Sequence, residues 1–292
     1  MTERGKRSMY LAPMLPVAGS APFDDKRYIF EPRIDGQRLL LSMQNGLVHL
    51  FTRHGNEIAP RYPELHRVPI DDNSDVLLDG VVTCLNRDTG MTDYEALLDR
   101  SKCIKPMHIQ EGVRQSPVHY FVFDILRYRG KDVRGKTLTE RKTLLHKALT
   151  GNRYFSFIPG LPDHGVALYR ALTAKGFGGI VAKRKSSPYV SRADDNWRSI
   201  VHYNYAIVQI AGYRKNQFGW LLKHRERIVG LLDGDVPSAY RNAFLGVSSI
   251  LKLNEDRDYV YVRPDIEARV RFRRWTREGR LYAPELIDFV AP

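Results

Sequence analysis

The sequence predicts an α+β fold in two parts, a larger mixed domain followed by a small β-barrel. Up to about Tyr203, short apolar runs alternate with segments of helical periodicity. Beyond Tyr203 the chain consists mostly of short strand-like runs, with one helical segment among them. We therefore expect two domains, residues 1–203 and residues 204–292.

The elements of the first part follow from the spacing of apolar residues. Residues 39–43 and 47–52 are predicted strands, joined at Asn45-Gly46, a favoured two-residue hairpin turn. The continuous apolar runs 76–85 and 118–126 predict buried strands, and 179–183 predicts another. Residues 139–148 begin with Thr-Glu-Arg-Lys, which predicts a capped helix, and residues 166–175 have the spacing of an amphipathic helix ended by Gly176.

The second part contains five predicted strands and one helix. The strands are 205–213, 218–223, 227–232, 259–263 and 268–275, and the helix spans about 238–252 after Pro237. This order fits a small closed barrel of the oligonucleotide-binding (OB) type, although other small β-barrels share the pattern.

The composition excludes several classes of protein. The chain has 292 residues, of which 43% are apolar and 27% charged, as in ordinary globular proteins. It has no run of about 18 apolar residues, which a membrane span would need, and no secretory signal in the first residues. Two cysteines, Cys84 and Cys103, indicate neither a disulfide framework nor a zinc site, and Cys84 lies in an apolar run typical of a reduced core thiol. We expect a cytoplasmic protein that does not bind membranes.

The net charge of +13 predicts a polyanion partner, because neutralising phosphates releases condensed counterions. From position 263 to 280 there are seven arginines against three acidic residues. Arg269, Arg271 and Arg273 alternate with apolar residues, as on a strand with one buried face. These three arginines and Arg274 are the predicted DNA contacts, supported by a basic loop at 102–114 and by Arg4, Lys6 and Arg7.

Five short segments carry a family resemblance. Glu31-Pro32-Arg33-Ile34-Asp35-Gly36-Gln37-Arg38 resembles the signature of ATP-dependent DNA ligases, in which a lysine at the position of Arg33 attacks the α-phosphate of ATP and becomes adenylated. The four further elements follow in family order: Leu78-Asp79-Gly80-Val81, Phe121-Val122-Phe123-Asp124, Gly178-Gly179-Ile180-Val181-Ala182-Lys183 and Trp197-Arg198-Ser199-Ile200-Val201. The likeness covers essentially the whole chain and is to short bacterial and phage ligases, which implies a nucleotidyltransferase domain followed by an OB-fold domain that binds DNA.

The resemblance implies roles for the residues that are retained. Glu31 would accept from the adenine amino group and Phe123 would stack on the base. Gly36 and Gly80 would let the backbone approach a ligand closely, and Asp35 belongs to the same implied cofactor-binding set. Arg38 and Lys183 would pair with phosphate oxygens, and Arg53 would face the nucleotide or the nicked strand. ATP and Mg²⁺ are therefore the implied cofactors, and nicked or broken duplex DNA is the implied partner.

Four catalytic positions of the family are replaced. Arg33 stands at the nucleophile, and its guanidinium is always protonated, so it can clamp a phosphate but cannot attack one. Val81 and Gly178 stand where the family has carboxylates on the Mg²⁺ side, and Ser199 stands where it has a phosphate-binding lysine.

These replacements predict a ligase-family protein that binds DNA but is inactive or strongly impaired in self-adenylation and nick sealing. Two alternatives stay open. One is an active ATP-dependent DNA ligase in DNA repair that uses non-standard residues. The other is an RNA ligase or capping-type nucleotidyltransferase, which the basic C-terminal part disfavours. The sequence does not indicate protein partners, nor which residues would hold a metal.

Overall fold

The computed structural model describes residues 10–70 and 75–290. Within these ranges the chain forms 21 strands and five α-helices and divides into two compact units, residues 1–201 and residues 202–292. The predicted mixed α+β class is confirmed. The basic residues at positions 4, 6 and 7 lie outside the described residues.

The first unit contains two sheets, and sheet I carries three of the motif segments. In spatial order sheet I consists of β4 (Leu47–Thr52), β3 (Gln37–Gln44), β5 (Val76–Leu85), β7 (Val118–Tyr128) and β8 (Lys131–Asp132), with β6 (Thr92–Asp93) beside β5 and β9 (Phe155–Phe157) beside β7. The predicted turn at Asn45-Gly46 is present, since both residues have the positive φ that a tight hairpin requires.

Sheet II contains the fourth and fifth motif segments and the start of the first, which continues into β3 of sheet I. In spatial order it consists of β1 (Leu15–Ala18), β12 (Ala193–Val201), β11 (Gly179–Arg184), β2 (Asp25–Pro32) and β10 (Leu161–Asp163). β11 pairs antiparallel with both β12 and β2, so the fourth motif segment lies between the first and the fifth.

In the described part of the first unit, four helices flank the sheets: α1 (Tyr94–Lys102), α2 (Pro106–Gln115), α3 (Leu138–Ala148) and α4 (Gly165–Thr173). α3 begins with a capping box, in which Thr137 accepts from the Glu140 amide and Glu140 accepts from the Thr137 amide. Helix α2 corrects the prediction of a basic loop at 102–114, because most of that segment is helical. Pro106 at its first turn is a helix-start signal that the loop interpretation missed.

Side chains along β3 alternate between the two faces of sheet I, and this alternation explains which way the motif residues point. Leu39, Leu41 and Met43 face one core, which also contains Leu78 and Leu145 of α3. The opposite side of the sheet has a second core, formed by Leu40 with Leu77, Phe123 and Trp197. Since Phe123 is on β7 of sheet I and Trp197 on β12 of sheet II, the second core joins the two sheets, and the motif side chains converge there.

The second unit is built on one sheet. It contains β13 (Asn204–Arg214), β14 (Trp220–His224), β15 (Arg227–Leu232), β16 (Lys252–Glu255), β17 (Tyr259–Val262), β18 (Glu267–Phe272) and β21 (Glu285–Phe289), with α5 (Ser238–Leu251) between β15 and β16. β13 pairs with β14, β17 and β18, so the long strand organises the unit. A separate two-stranded ribbon is formed by β19 (Arg274–Trp275) and β20 (Leu281–Tyr282).

Four of the five predicted strands and the helix of this unit are observed within two residues at each end. The fifth is shorter than predicted: β18 ends at Phe272, and Arg274 begins β19. Among the described residues, no helix is both long and apolar enough to cross a membrane.

Candidate functional site

The segment between β2 and β3 places Arg33 beside Asp35. Nη1 of Arg33 donates to Oδ1 of Asp35 over 2.8 Å, and each side chain is less than one-third exposed. The Arg33 amide also donates to the carbonyl of Gly179 over 3.0 Å, which fixes this segment against the start of β11. The residue at the nucleophile position is therefore held by the motif's own aspartate.

Gly178 lies directly against this pair. A Cβ atom at position 178 would be 3.1 Å from Nη1 of Arg33 and 3.3 Å from Oδ1 of Asp35. Such distances are tighter than ordinary van der Waals contact. Arg33 and Gly178, two of the replaced positions, are thus neighbours in space.

Val81 lies on the other side of the same segment. It is opposite Arg38 on β3, and a Cβ atom at Gly36 would be 2.5 Å from its Cγ1 and 2.3 Å from the carbonyl oxygen of Val82. Gly36 is therefore required by the packing of this segment on β5, a different reason from the close ligand approach that the sequence suggested. Val81 places a branched apolar side chain where the family has a carboxylate.

Arg38 is anchored by a buried carboxylate. Its Nε and Nη2 donate to the two oxygens of Asp79 over 2.9 and 2.6 Å, and the Tyr189 hydroxyl donates to the same carboxylate over 2.6 Å. Burial by itself lowers the pKa of Arg38, but Asp79 outweighs it and the pKa is raised. Arg38 is thus a fixed cation whose charge is largely offset by Asp79.

Glu31 is the centre of a second buried ionic cluster. Its carboxylate pairs with Lys183 over 2.7 Å and also with Lys142 of α3. Burial would raise the pKa of Glu31, but the ammonium groups of Lys142 and Lys183 outweigh it and hold the pKa below its ordinary value. The carboxylate predicted to bind adenine therefore already pairs with two cations.

Phe123 lies within the same cluster. The Lys183 ammonium is 3.8 Å from the centre of the Phe123 ring and 4.2 Å from the Trp197 ring, and Arg38 lies 5.0 Å from Phe123. Phe123 is only 6% exposed. Burial lowers the pKa of Lys183 to about 8, although Glu31 acts in the opposite direction.

Two predicted site residues do not join these clusters through any contact that the structure shows. Arg53 is exposed after the end of β4, where its Nε donates to Nε2 of His54. Ser199 is half-buried on β12, opposite Val181, and its carbonyl accepts from the Gly19 amide.

A comparison of the sequence with protein-family models identifies the family of this chain. A protein-family model described as the ATP dependent DNA ligase domain matches residues 13–198, which contain the first four motif segments. The chain belongs to the ATP-dependent DNA ligase family.

Relatives agree with this membership. The SPbeta prophage-derived DNA ligase-like protein LigB of Bacillus subtilis strain 168 is 32% identical over 277 residues, which cover 94% of this chain and 97% of LigB. The multifunctional non-homologous end joining DNA repair protein LigD of Mycobacterium tuberculosis (strain H37Rv) is 28% identical over 302 residues, and the match covers 93% of this chain but 37% of LigD.

Solved structures of ligases share the fold. A mycobacterial DNA ligase D complexed with ATP and MES matches with a TM-score of 0.60 and 24% identity, over 96% of this chain and 95% of that one. A structure from a study of DNA binding with a minimal scaffold in Lig E DNA ligases matches with a TM-score of 0.67 and 16% identity, over 95% and 99% of the two chains. At these identities the likeness shows the fold alone.

Mg²⁺ does not fit the side chains of this ligase-family site. The ion prefers hard oxygen ligands, and neither Val81 nor Gly178 offers a side-chain oxygen. Within residues 10–70 and 75–290, no group of three or more His, Cys, Asp or Glu side chains is arranged to hold a metal ion.

Sequence reasoning missed several residues of the site. Lys142 and Tyr189 lie outside the motif segments, and Trp197 was given no role within its segment. Their contacts depend on the packing of α3 and sheet II, so only the fold could reveal them. Cys84 is a free, fully buried thiol as predicted, and burial raises its pKa to about 12.

The predicted DNA-contacting arginines differ in their surroundings. The alternation on β18 is confirmed, since Ala268, Val270 and Phe272 are buried and Arg269 is exposed. Arg271 pairs with Glu285 over 2.6 Å, and the guanidinium groups of Arg271 and Arg273 lie 4.3 and 4.5 Å from the Tyr203 ring.

Arg273 follows the end of β18, and Arg274 belongs to β19, where it lies 4.6 Å from the Tyr282 ring. The sequence predicted that Arg269, Arg271 and Arg273 lie on one strand, but β18 ends at Phe272, so Arg273 lies beyond it. The strand ends early because the chain turns into the β19–β20 ribbon.

Proposed function

We propose that this chain is a DNA-ligase-family protein that binds nicked or broken duplex DNA but neither self-adenylates nor seals nicks. The observation that carries the proposal is the geometry of Arg33. A guanidinium stands at the nucleophile position, and it is held by Asp35 at 2.8 Å. Its lone pairs are delocalised and it stays protonated at any physiological pH, so it cannot attack the α-phosphate.

The surroundings of Arg33 support the proposal that several positions of the site differ from those of an active ligase, and not the nucleophile alone. Gly178 leaves the space that the guanidinium occupies, and Val81 presents an apolar surface beside Gly36. Restoring an amine at position 33 alone would leave no carboxylates on the metal side and no lysine at position 199. Groups that stabilise developing charge in the transition state are often the largest catalytic term.

DNA binding is supported by charge and by the second unit. The chain carries a net charge of +13, and Arg269 is exposed on β18. We propose that this second unit is an OB-type DNA-binding domain, as in the ligases it resembles. LigD of M. tuberculosis is named as a non-homologous end joining DNA repair protein, and by that likeness we propose a role at DNA breaks.

We propose that this chain binds ATP weakly or not at all at the position where ligases of the family bind it. Glu31 and Phe123 would contact the base, but both are engaged by Lys183, and Phe123 is nearly inaccessible. Adenine would have to displace that ammonium group from the ring and the carboxylate. No step of the proposed function uses Mg²⁺.

A second candidate function is ligation through a substitute amine, and Lys183 favours it. Its pKa of about 8 means that a sizeable fraction is neutral at slightly alkaline pH, as nucleophilic catalysis by an amine requires. Its ion pair with Glu31 opposes this use, because the carboxylate stabilises the protonated form.

The test is a combined binding and sealing assay on one labelled nicked duplex with ATP and Mg²⁺. The proposal predicts a shifted complex on a native gel and no joined strand on a denaturing gel. A joined strand would contradict it, and an adenylate group located on Lys183 by peptide mapping would then establish the second candidate. Absence of any complex would overturn the DNA-binding part.

A further inference from the structure

The second unit exposes an aromatic and apolar surface that duplex-backbone binding does not require. Tyr205 is 64% exposed and Ile207 46% exposed, side by side on the outer face of β13. The alternate residues Val208 and Ile210 face the core, so the exposure follows from the strand's periodicity. Large exposed side chains on one strand face are unusual enough to call for a function.

Two further ring side chains, those of His224 and Trp275, extend this surface. His224, at the end of β14, donates from Nδ1 to the carbonyl of Ile207 over 3.1 Å. The His224 ring lies 5.9 Å from the ring of Trp275, which is 42% exposed. Trp275 also packs edge-on against the buried Phe272 at 5.0 Å, so its position is fixed by the core. We call Tyr205, Ile207, His224 and Trp275 the aromatic platform.

Cations border the aromatic platform on two sides. On β18, Arg271 is directly opposite Tyr205 and Arg269 is directly opposite Ile207, which places their side chains on the same face. Arg271 also pairs with Glu285 over 2.6 Å, so Arg269 is the less neutralised of these two cations. On the other side, the β14–β15 turn exposes Arg225 and Arg227. The acidic residue of that turn, Glu226, pairs with Lys223 over 2.7 Å and so offsets little of this charge.

Resting on the proposed DNA binding, we propose that the aromatic platform binds unpaired bases, so that the protein prefers DNA ends with a single-stranded extension over fully paired duplex. Exposed aromatic rings accept the flat face of any base, and neighbouring arginines hold the backbone phosphates of the same strand. Base pairs inside a duplex present only their edges and cannot stack on these rings. A protein partner with an apolar surface would not require this arginine border.

The experiment compares three fluorescent DNAs with the full chain by anisotropy at one salt concentration. They are a blunt duplex, the same duplex with a 3′ extension, and a duplex whose extension is abasic but equally charged. The extension with bases is expected to bind about tenfold more tightly than the abasic one. Equal affinity for the two extensions would overturn the proposal.

Substitutions test whether the aromatic platform causes the preference for the base-bearing extension. Tyr205→Ala and Trp275→Ala are each expected to lose about tenfold in affinity for the base-bearing extension and to leave blunt-duplex affinity unchanged. Tyr205→Phe, which keeps the ring, should bind as the natural chain does. Ile250→Ala is the matched control, because Ile250 is an exposed apolar residue of α5 in the same unit. Unchanged binding by both alanine variants would contradict the assignment.

A measurement on the unmodified chain is independent of any variant. Trp197 and Trp220 are 1% and 3% exposed, so Trp275 is the exposed tryptophan of the three in the chain. Stacking should quench its fluorescence on addition of the base-bearing extension and not of the abasic one. If the blunt duplex binds but this difference is missing, the aromatic platform fails while the proposed function stands. If no DNA binds, the proposed function itself fails.

Discussion

A Cβ atom on Gly178 would lie 3.1 Å from Nη1 of Arg33, so the guanidinium occupies the space into which a side chain at position 178 would extend. The two replaced positions, which are far apart in the sequence, are therefore in contact in the structure. A side chain at 178 would require the guanidinium of Arg33 to shift from its place next to Asp35.

This relationship predicts energetic coupling between the two positions. Gly178→Ala should destabilise the natural chain more than it destabilises the Arg33→Lys variant, with a coupling energy of about 0.5–1 kcal/mol. The slimmer lysine leaves room for the added methyl group. Urea unfolding of the two single variants and the double variant measures the coupling.

The control for this cycle pairs Gly178→Ala with Arg53→Lys. Arg53 is exposed and contacts His54, so the two changes should be additive. Equal coupling in both cycles, or none in either, would contradict the contact between Arg33 and Gly178.

A second prediction concerns the motif glycines. Cβ atoms at Gly36 and Gly80 would lie 2.3 Å from the Val82 carbonyl oxygen and 2.5 Å from the Phe121 carbonyl oxygen. Because these obstacles are backbone atoms, Gly36→Ala and Gly80→Ala should each destabilise folding by about 3 kcal/mol or prevent it. Thermal unfolding is the measurement. Gly135→Ala is the control, since nothing lies near its Cβ position, and its melting temperature should stay the same.

Much of this fold could be predicted from the sequence because the patterns that specify turns and strand faces are local. The turn at Asn45-Gly46 and the alternation along β18 both depend on neighbouring residues. The strand β21 was missed, since Glu285–Phe289 alternates only weakly and owes its place to pairing with β18.

The site was predictable only in part, for the same reason. Motif order identified Arg33, Gly178 and Val81, and the structure brings them together around Asp35 and Gly36. The cluster of Glu31 with Lys142 depends on the position of α3, which no local pattern encodes. Arg53 and Ser199 were assigned by motif position alone, and the contacts that each makes in the structure lie elsewhere.

A third prediction uses the buried amine of Lys183. Its pKa is about 8 in the folded chain and near 10.5 when unfolded, so between these values the unfolded chain binds a proton that the folded chain does not. The contribution of Lys183 to the free energy of unfolding therefore rises by about 2 kcal/mol from pH 8 to pH 10. The Cys84 thiol, whose pKa burial raises to about 12 in the folded chain, also contributes to the pH dependence in this range, so the quantity to measure is the difference in unfolding free energy between the natural chain and Lys183→Met.

That difference should increase in favour of the natural chain as the pH rises from 8 to 10. Lys102→Met, at an exposed lysine, should show no such trend. Parallel pH profiles for the natural chain and Lys183→Met would mean that Lys183 is not desolvated as the structure indicates.

A fourth prediction separates the arginines of β18. Arg269→Gln should reduce the slope of log affinity against log salt by about 0.9, as expected when one phosphate contact is lost. Arg271→Gln should change the slope less, because Glu285 already offsets the charge of Arg271. Anisotropy titrations on a blunt duplex over a salt series measure both slopes. The reverse ranking would contradict the assignment of Arg269 as the freer cation.

The fifth prediction concerns repair of the site. Combining Arg33→Lys, Val81→Glu, Gly178→Glu and Ser199→Lys should restore measurable self-adenylation, whereas Arg33→Lys alone should restore little. The single change returns the amine without the charged groups that stabilise the transition state. Full activity from the single change would mean that Val81 and Gly178 do not lie on the metal side.

The central claim is tested most directly by the intact mass of the natural chain after incubation with ATP and Mg²⁺. We expect no increase in mass, because the guanidinium of Arg33 cannot form the adduct. A mass increase equal to one adenylate group, located on a lysine by peptide mapping, would contradict the claim and identify the amine that replaces the missing nucleophile.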